Sequence, residues 1–125
     1  MEFKKEVLII DDDKVILESI KKQLRHNDNL DLEFIDDPVA GLEKINEHKF
    51  DLIICDVRMK NLNGLDVLKL IKSNHPELPV IILSGYVDDK MIEKAYNLGC
   101  YDFLVKPVRK TALLETISKA LNTEL

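Results

Sequence analysis

Five polar residues in this 125-residue sequence stand where apolar runs end: Asp11 and Asp12 after Val7-Leu8-Ile9-Ile10, Asp56 after Leu52-Ile53-Ile54-Cys55, Ser84 after Val80-Ile81-Ile82-Leu83, and Lys106 after Phe103-Leu104-Val105. Brought together, the three carboxylates would repel and raise one another's pKa unless a cation sat among them. An oxygen-only set with open positions suits Mg²⁺, which keeps several waters and binds through one or two carboxylates plus a phosphate. Asp11 and Asp12 also read as residues that favour a helix start, but a cap uses one Asp and the run holds three. Lys106 precedes Pro107, so its backbone is restricted. It is either a surface lysine or a point charge aimed at a phosphoryl oxygen or at the carboxylates. Ser84, beside Gly85, either caps the next helix or donates to the same phosphoryl group.

The elements that must carry these residues follow from periodicity. Val7–Ile10 is continuous, apolar and too short for a helix, the pattern of a strand covered on both faces. Leu30–Ile35 alternates Asp31 and Glu33 with Leu32 and Phe34, as at a half-exposed sheet edge. Asp51–Cys55, Val80–Leu83 and Tyr101–Val105 complete five strands, and Asp56–Asn63 reads as a polar loop. Helices are expected after Asp13, from Asp37-Pro38, over about Gly64–Asn74, over Asp88–Leu98 and over Thr111–Leu121. Their inward stripes are Ile16, Leu17, Ile20 and Leu24; Val39, Leu42 and Ile45; Leu65, Leu68 and Ile71; Met91, Ile92, Ala95 and Leu98; and Leu113, Leu114, Ile117, Ala120 and Leu121. Strand and helix alternate five times, which implies a doubly wound α/β fold with right-handed crossovers. The flavodoxin-like strand order 2-1-3-4-5 sets the first and third strands side by side, with Asp11, Asp12 and Asp56 as neighbours at the switch point.

Bulk properties narrow the classes. Hydrophobic residues make up 46%, with 4 Gly and 4 Pro, which describes one packed domain. A net charge of -5 disfavours a phosphate-binding nucleic-acid surface, and Lys21, Lys22 and Arg25 read as a solvated helix face. Cys55 and Cys100 lack zinc-type spacing and read as buried free thiols of a reducing compartment. Met1–Glu6 does not read as a signal sequence, and no apolar run approaches the ~20 residues that span a bilayer. The expected location is the cytoplasm, away from membranes.

On Asp11-Asp12, Asp56, Met59, Gly64, Ser84-Gly85 and Lys106-Pro107, the sequence resembles the receiver domain of bacterial two-component response regulators over essentially its whole length. The resemblance implies that Asp56 is the phosphoacceptor, taking a phosphoryl group from a sensor histidine kinase or a phosphotransfer protein. It makes Asp12, Asp56 and the main-chain carbonyl of Arg58 direct Mg²⁺ ligands and Asp11 a ligand through water. Ser84 and Lys106 would hold the phosphoryl oxygens, and the Lys106-Pro107 peptide would be cis. Phosphorylation would draw Ser84 toward Asp56 and turn Phe103 inward, reshaping the face of the fourth helix, fifth strand and fifth helix. The only chemistry implied is Mg²⁺-dependent phosphorylation and dephosphorylation of its own Asp56, so the chain is not expected to be a turnover enzyme.

Three features depart from that pattern. Phe103 carries no tyrosine hydroxyl, Met59-Lys60-Asn61 lacks the usual proline, and Arg58 and Tyr86 fill the positions that tune loss of the phosphoryl group. One domain over 1–125 with no output domain is expected. Its effector is an unidentified domain or protein, a phosphorylation-dependent dimer is allowed, and no direct contact with nucleic acid is implied. The final helix also lacks the arginine-rich pattern of receivers that dimerise to bind DNA.

Three other functions fit the same outline. A receiver-like module that binds partners without phosphorylation keeps the fold but has no need of the intact acidic set. A Mg²⁺-dependent phosphatase with an aspartyl nucleophile wants an acid where this chain has Arg58. A flavin-binding protein needs a Gly-, Ser- and Thr-rich loop where this chain has Asp11-Asp12-Asp13. If Tyr86 and Arg58 shield the acyl phosphate from water, Tyr86→Ala shortens the half-life of the phosphorylated form, followed by intact mass over time. An unchanged decay rate would remove Tyr86 from that role.

Overall fold

The computed structural model of the chain describes residues 4–59, 62–85 and 88–125; Lys60, Asn61 and Tyr86 lie outside them. Among the described residues there are five helices and a five-stranded sheet. Strands β1 (Lys5–Ile10), β2 (Leu30–Ile35), β3 (Leu52–Asp56), β4 (Val80–Ser84) and β5 (Asp102–Val105) are ordered β2-β1-β3-β4-β5, and every pairing is parallel. Every residue of β3 and β4 is buried, as their unbroken apolar runs require when helices cover both faces. The alternation of Asp31 and Glu33 in β2 reports its place at one edge.

Helices α1 (Lys14–Leu24), α2 (Pro38–Glu47), α3 (Gly64–Asn74), α4 (Asp89–Asn97) and α5 (Lys110–Leu121) divide the core in two. Leu17, Ile20 and Leu24 of α1 and Leu113, Ile117 and Leu121 of α5 pack with Val7, Ile9, Ile54 and Ile81 on one face of the sheet. Ile45 of α2, Leu68 and Ile71 of α3 and Ala95 of α4 pack with Leu8, Ile10, Ile53 and Ile82 on the other. Alternate residues of β1, β3 and β4 therefore serve opposite layers. This is the doubly wound, flavodoxin-like α/β fold expected.

Local chemistry sets the helix starts. Asp13 accepts from the Val15 N–H at 2.9 Å, Asp37 from Val39 and Ala40, Asn63 from Leu65 at 2.9 Å, and Asp88 from Met91 at 2.7 Å, each meeting an otherwise unpaired donor of a first turn. Gly99 ends the α4 turn at φ 97°, a left-handed conformation that favours glycine.

The structure corrects four expectations. Val39 is 53% exposed; the inward face of α2 carries Pro38, Gly41 and Ile45 instead, because Gly41 lets the helix backbone settle against the Ile10 side chain. Val67 and Thr116 are buried without having been placed in a stripe. The segment after Asp56 is not wholly a loop, since Arg58–Met59 pairs antiparallel with Leu62–Asn63, and α4 is shorter than expected because Asp88 caps it from outside.

Gly64 is forced by contact. Its N–H donates to the Val57 carbonyl at 2.6 Å, and an added Cβ would collide with the Val57 backbone itself. Backbone cannot yield as a flexible side chain does, so Gly64→Ala should destabilise the chain by about 2 kcal/mol, read by urea denaturation. An unaltered denaturation midpoint would show that the contact is not a constraint.

Candidate functional site

Parallel strands end together, so the carboxyl ends of β1, β3, β4 and β5 deliver their last residues to one rim. Asp11 follows β1, and its N–H donates to the Ile35 carbonyl of β2 at 3.1 Å. Asp56 is the final residue of β3, in register with Leu83. The order reverses at β1 and β3, opening the crevice in which ligands of such sheets collect. Carboxylate oxygens of Asp11, Asp12 and Asp56 lie within 4.8 Å of one another there. Asp11 is wholly buried, Asp56 is 4% exposed, and Asp12 is half-buried.

Lys106 is brought to this cluster by β5. Its N–H donates to the Ser84 carbonyl at 2.7 Å, continuing the β4–β5 ladder, and the following Lys106-Pro107 peptide is cis as expected. From that anchor Nζ donates to Asp11 Oδ2 at 2.7 Å and to Asp56 Oδ2 at 3.1 Å. The other Asp56 oxygen, Oδ1, accepts from the Arg58 N–H at 3.1 Å, and Asp11 Oδ1 accepts from Asp13 N–H at 2.9 Å. Both buried carboxylates are thus held at both oxygens, which fixes their orientation.

The charges of the cluster do not balance. Three carboxylates gathered around one ammonium give it a net negative charge. Burial pushes the Asp11 carboxyl up to about 6, against the lowering effect of its hydrogen bond to Lys106. Burial acts to lower the pKa of Lys106, but hydrogen bonds and charge from Asp11 and then Asp56 outweigh it, so the ammonium is held more firmly than usual. A divalent cation would offset the excess, and an all-oxygen donor set fits Mg²⁺.

The remaining expected residues fall around this cluster. Ser84 ends β4 fully buried, one residue beyond Leu83, the register partner of Asp56. Arg58 lies in the short ladder after β3, its side chain exposed. Phe103 sits in β5, half-buried against the α2–α3–α4 layer, with its N–H donating to Asp102 Oδ1 at 2.7 Å. Tyr86 is outside the described residues. Cys55 and Cys100 are free, buried thiols; burial pushes Cys100 up to about 11 and Cys55 higher still, so both are unreactive as thiolates.

Two supports of the site were not read from the sequence as such. Gln23 Nε2 of α1 donates to the Val108 carbonyl at 3.1 Å, tying α1 to the turn that follows Lys106-Pro107. No local signal marks a helix glutamine for a partner 85 positions away. The Gly64 contact holds the turn after Asp56, and a glycine opening a helix after a polar segment was the one available sign.

Comparisons with known proteins agree with one another. The sequence matches the family described as the response regulator receiver domain over residues 7–118. It is 33% identical over 119 residues to the transcriptional regulatory protein ZraR of Escherichia coli (strain K12), covering 93% of this chain and 26% of that protein. It is 35% identical over 115 residues to the response regulator protein TodT of Pseudomonas putida, covering 92% of this chain and 50% of that one. The chain therefore spans between a quarter and a half of these relatives. The fold superimposes on the crystal structure of a CheY-like response regulator receiver domain protein from Methanospirillum hungatei JF-1 with a TM-score of 0.89 and 29% identity, covering 95% of this chain and 94% of that one.

The raised pKa of Asp11 has a pH signature in metal-free buffer. Its ordinary value is 3.8 and its folded value about 6, so between those values the folded chain keeps a proton that the unfolded chain has released. Stability attributable to this group therefore falls as pH rises through that window. Asp11→Asn cannot ionise, so its own stability should vary less across the window, and the deficit it carries from losing the charge paired with Lys106 should shrink as pH rises through it. Urea denaturation with chelator present, below and above the window, reads both; a parallel slope in the variant would assign the pH dependence elsewhere.

Proposed function

The chain belongs to the response regulator receiver domain family, a family of signalling domains, and from that premise we propose that it accepts a phosphoryl group on Asp56 from a partner phosphohistidine. The observation that carries the reading is the Lys106 ammonium, held 3.1 Å from Asp56 Oδ2 beside the other carboxylates. In the transfer, an Asp56 carboxylate oxygen bonds to phosphorus as the bond from phosphorus to the partner's imidazole nitrogen breaks, leaving an acyl phosphate and a free imidazole. Little covalent assistance is needed, because positioning and charge compensation dominate such transfers. Lys106 and Ser84, the buried last residue of β4, would meet the phosphoryl oxygens. Asp12, Asp56 and the Arg58 carbonyl would hold Mg²⁺ directly, and Asp11 through water. Bound there, the ion would neutralise charge shared between carboxylates and phosphoryl oxygens.

Added charge at Asp56 would pull Lys106 and Ser84 toward it, and through β4 and β5 shift Phe103 and the α4–β5–α5 face. That face has the composition of a docking surface, with Tyr96, Tyr101 and Val105 exposed. The Tyr96 hydroxyl donates to Asp102 Oδ1 at 3.0 Å, so α4 and β5 are joined where the change would be read. The partners are a sensor histidine kinase or phosphotransfer protein and a downstream effector, with phosphorylation-dependent dimerisation as one route of output. Direct contact with nucleic acid is not part of the reading at a net charge of -5. No helix among the described residues is long and apolar enough to cross a membrane, and we place the domain in the cytoplasm with its kinase partner.

Incubation with acetyl phosphate should add one phosphoryl group by intact mass, only with Mg²⁺ present and only while Asp56 is intact; Asp56→Asn should gain nothing. No gain in the parent under saturating donor and metal would replace this reading with a receiver-like module that binds without phosphorylation.

A further inference from the structure

At the opposite end of the sheet from Asp56, the C-terminal ends of α2 and α3 flank an open cleft of about 580 Å³. That volume lies within the ~300–1,000 Å³ of small-molecule sites, which are mostly apolar with a few placed polar groups. Ile45, Phe50, Leu78 and Pro79 supply apolar lining. His75 Nε2 and Asn46 Oδ1, 3.0 Å apart, link α3 to α2 beside it.

Its charge leans negative, although two ammonium groups, Lys49 in the lining and Lys72 at the adjoining turn, offset part of it. Glu47, Asp51 and Glu77 line the cleft with a single ammonium, Lys49. Both helices end here, with His48 and His75 as their C-caps, so the partial negative charge of two helix termini adds to the carboxylates. The adjoining turn already attracts a cation: Lys72 Nζ donates to the Pro76 and Leu78 carbonyls, both at 2.8 Å. Carboxylate oxygens remain at the rim, because Glu47 and Glu77 are exposed and Asp51 engages the Glu6 N–H through Oδ2. No His, Cys, Asp and Glu grouping of metal-binding geometry occurs here among the described residues, so a bare metal ion is not the natural occupant.

We propose that this cleft binds a small organic cation with a flat apolar body, such as an amidinium or a protonated aromatic amine. The body would lie against Phe50, Leu78 and Pro79, and the charge would face Glu47 and Glu77 at the rim. The cleft and the acidic cluster lie at opposite ends of the strands that border both, β3 running from beside Asp51 to Asp56, so occupancy would not compete with a ligand at the other rim.

Benzamidine tests this against benzamide, its neutral isostere, in a ¹H–¹⁵N NMR titration of the full chain. The expected result is saturable shifts centred on Phe50, Asp51 and Leu78 with benzamidine, and binding of benzamide at least about fivefold weaker. The double variant Glu47→Gln with Glu77→Gln, at exposed positions outside the acidic cluster, should weaken benzamidine by a similar factor while leaving the rest of the spectrum in place. Shifts that are absent or scattered, equal binding of benzamide, or an indifferent double variant would each overturn the proposal. N-acetyl-arginine methylamide is run alongside, and tighter binding of it than of benzamidine would overturn the small-cation assignment in favour of a protein's basic side chain.

Discussion

One ammonium held between two buried carboxylates sets the terms for the rest of this molecule. Taking Asp11, Asp56 and Lys106 out of water is costly, and their attraction offsets that cost only where the hydrogen bonds are well formed. The chain meets this by mounting each group on a rigid support. Asp11 and Asp56 stand at the ends of adjacent central strands, and Lys106 hangs from a backbone hydrogen bond to Ser84. Because these strands are parallel and central, their side chains arrive at the rim with little freedom left. The net negative charge is what makes the rim receptive to a cation instead of merely stable.

Steric limits then determine how tightly the supports close. Gly41 and Gly64 lie where a helix or turn backbone rests directly on its neighbour, on Ile10 in one case and on Val57 in the other. Ile10 immediately precedes Asp11 and Val57 immediately follows Asp56, so both close approaches border the acidic cluster. Packing without a side chain at these points lets α2 and the turn after β3 brace the two carboxylates from either side. The geometry of the cluster is therefore partly a matter of what is missing from two residues.

Most of this was legible in the sequence because buried parallel strands are unbroken apolar runs and their ends are abrupt. Val7–Ile10 and Leu52–Cys55 could hardly be anything else, and a polar residue following such a run is conspicuous. The caps at Asp13 and Asp37 are equally visible, since a short acidic side chain before a periodic stretch suits a helix start, whereas Asp88 reads as the first residue of its helix and proves to be the cap outside it. The expectations that fail do so for separate reasons. Val39 was placed inward because a bulky apolar residue at helical spacing looks like core, whereas α2 turns its small residues to the sheet. The ladder at Arg58–Met59 escaped notice because two residues carry no period. Gln23 gave no sign because its partner is distant in sequence and is a carbonyl, which has no residue identity.

The edge position of β2 has a bearing on how the molecule behaves in company. Its outer side offers unpaired backbone donors and acceptors, which is the feature by which sheet proteins recruit one another into aggregates. Asp31 is exposed there and Glu33 partly so, so a second copy approaching edge to edge would bring like charges together as the strands tried to pair. Colloidal stability in a crowded solution is thus written into the same alternation of acidic and apolar residues that placed this strand at the margin of the sheet.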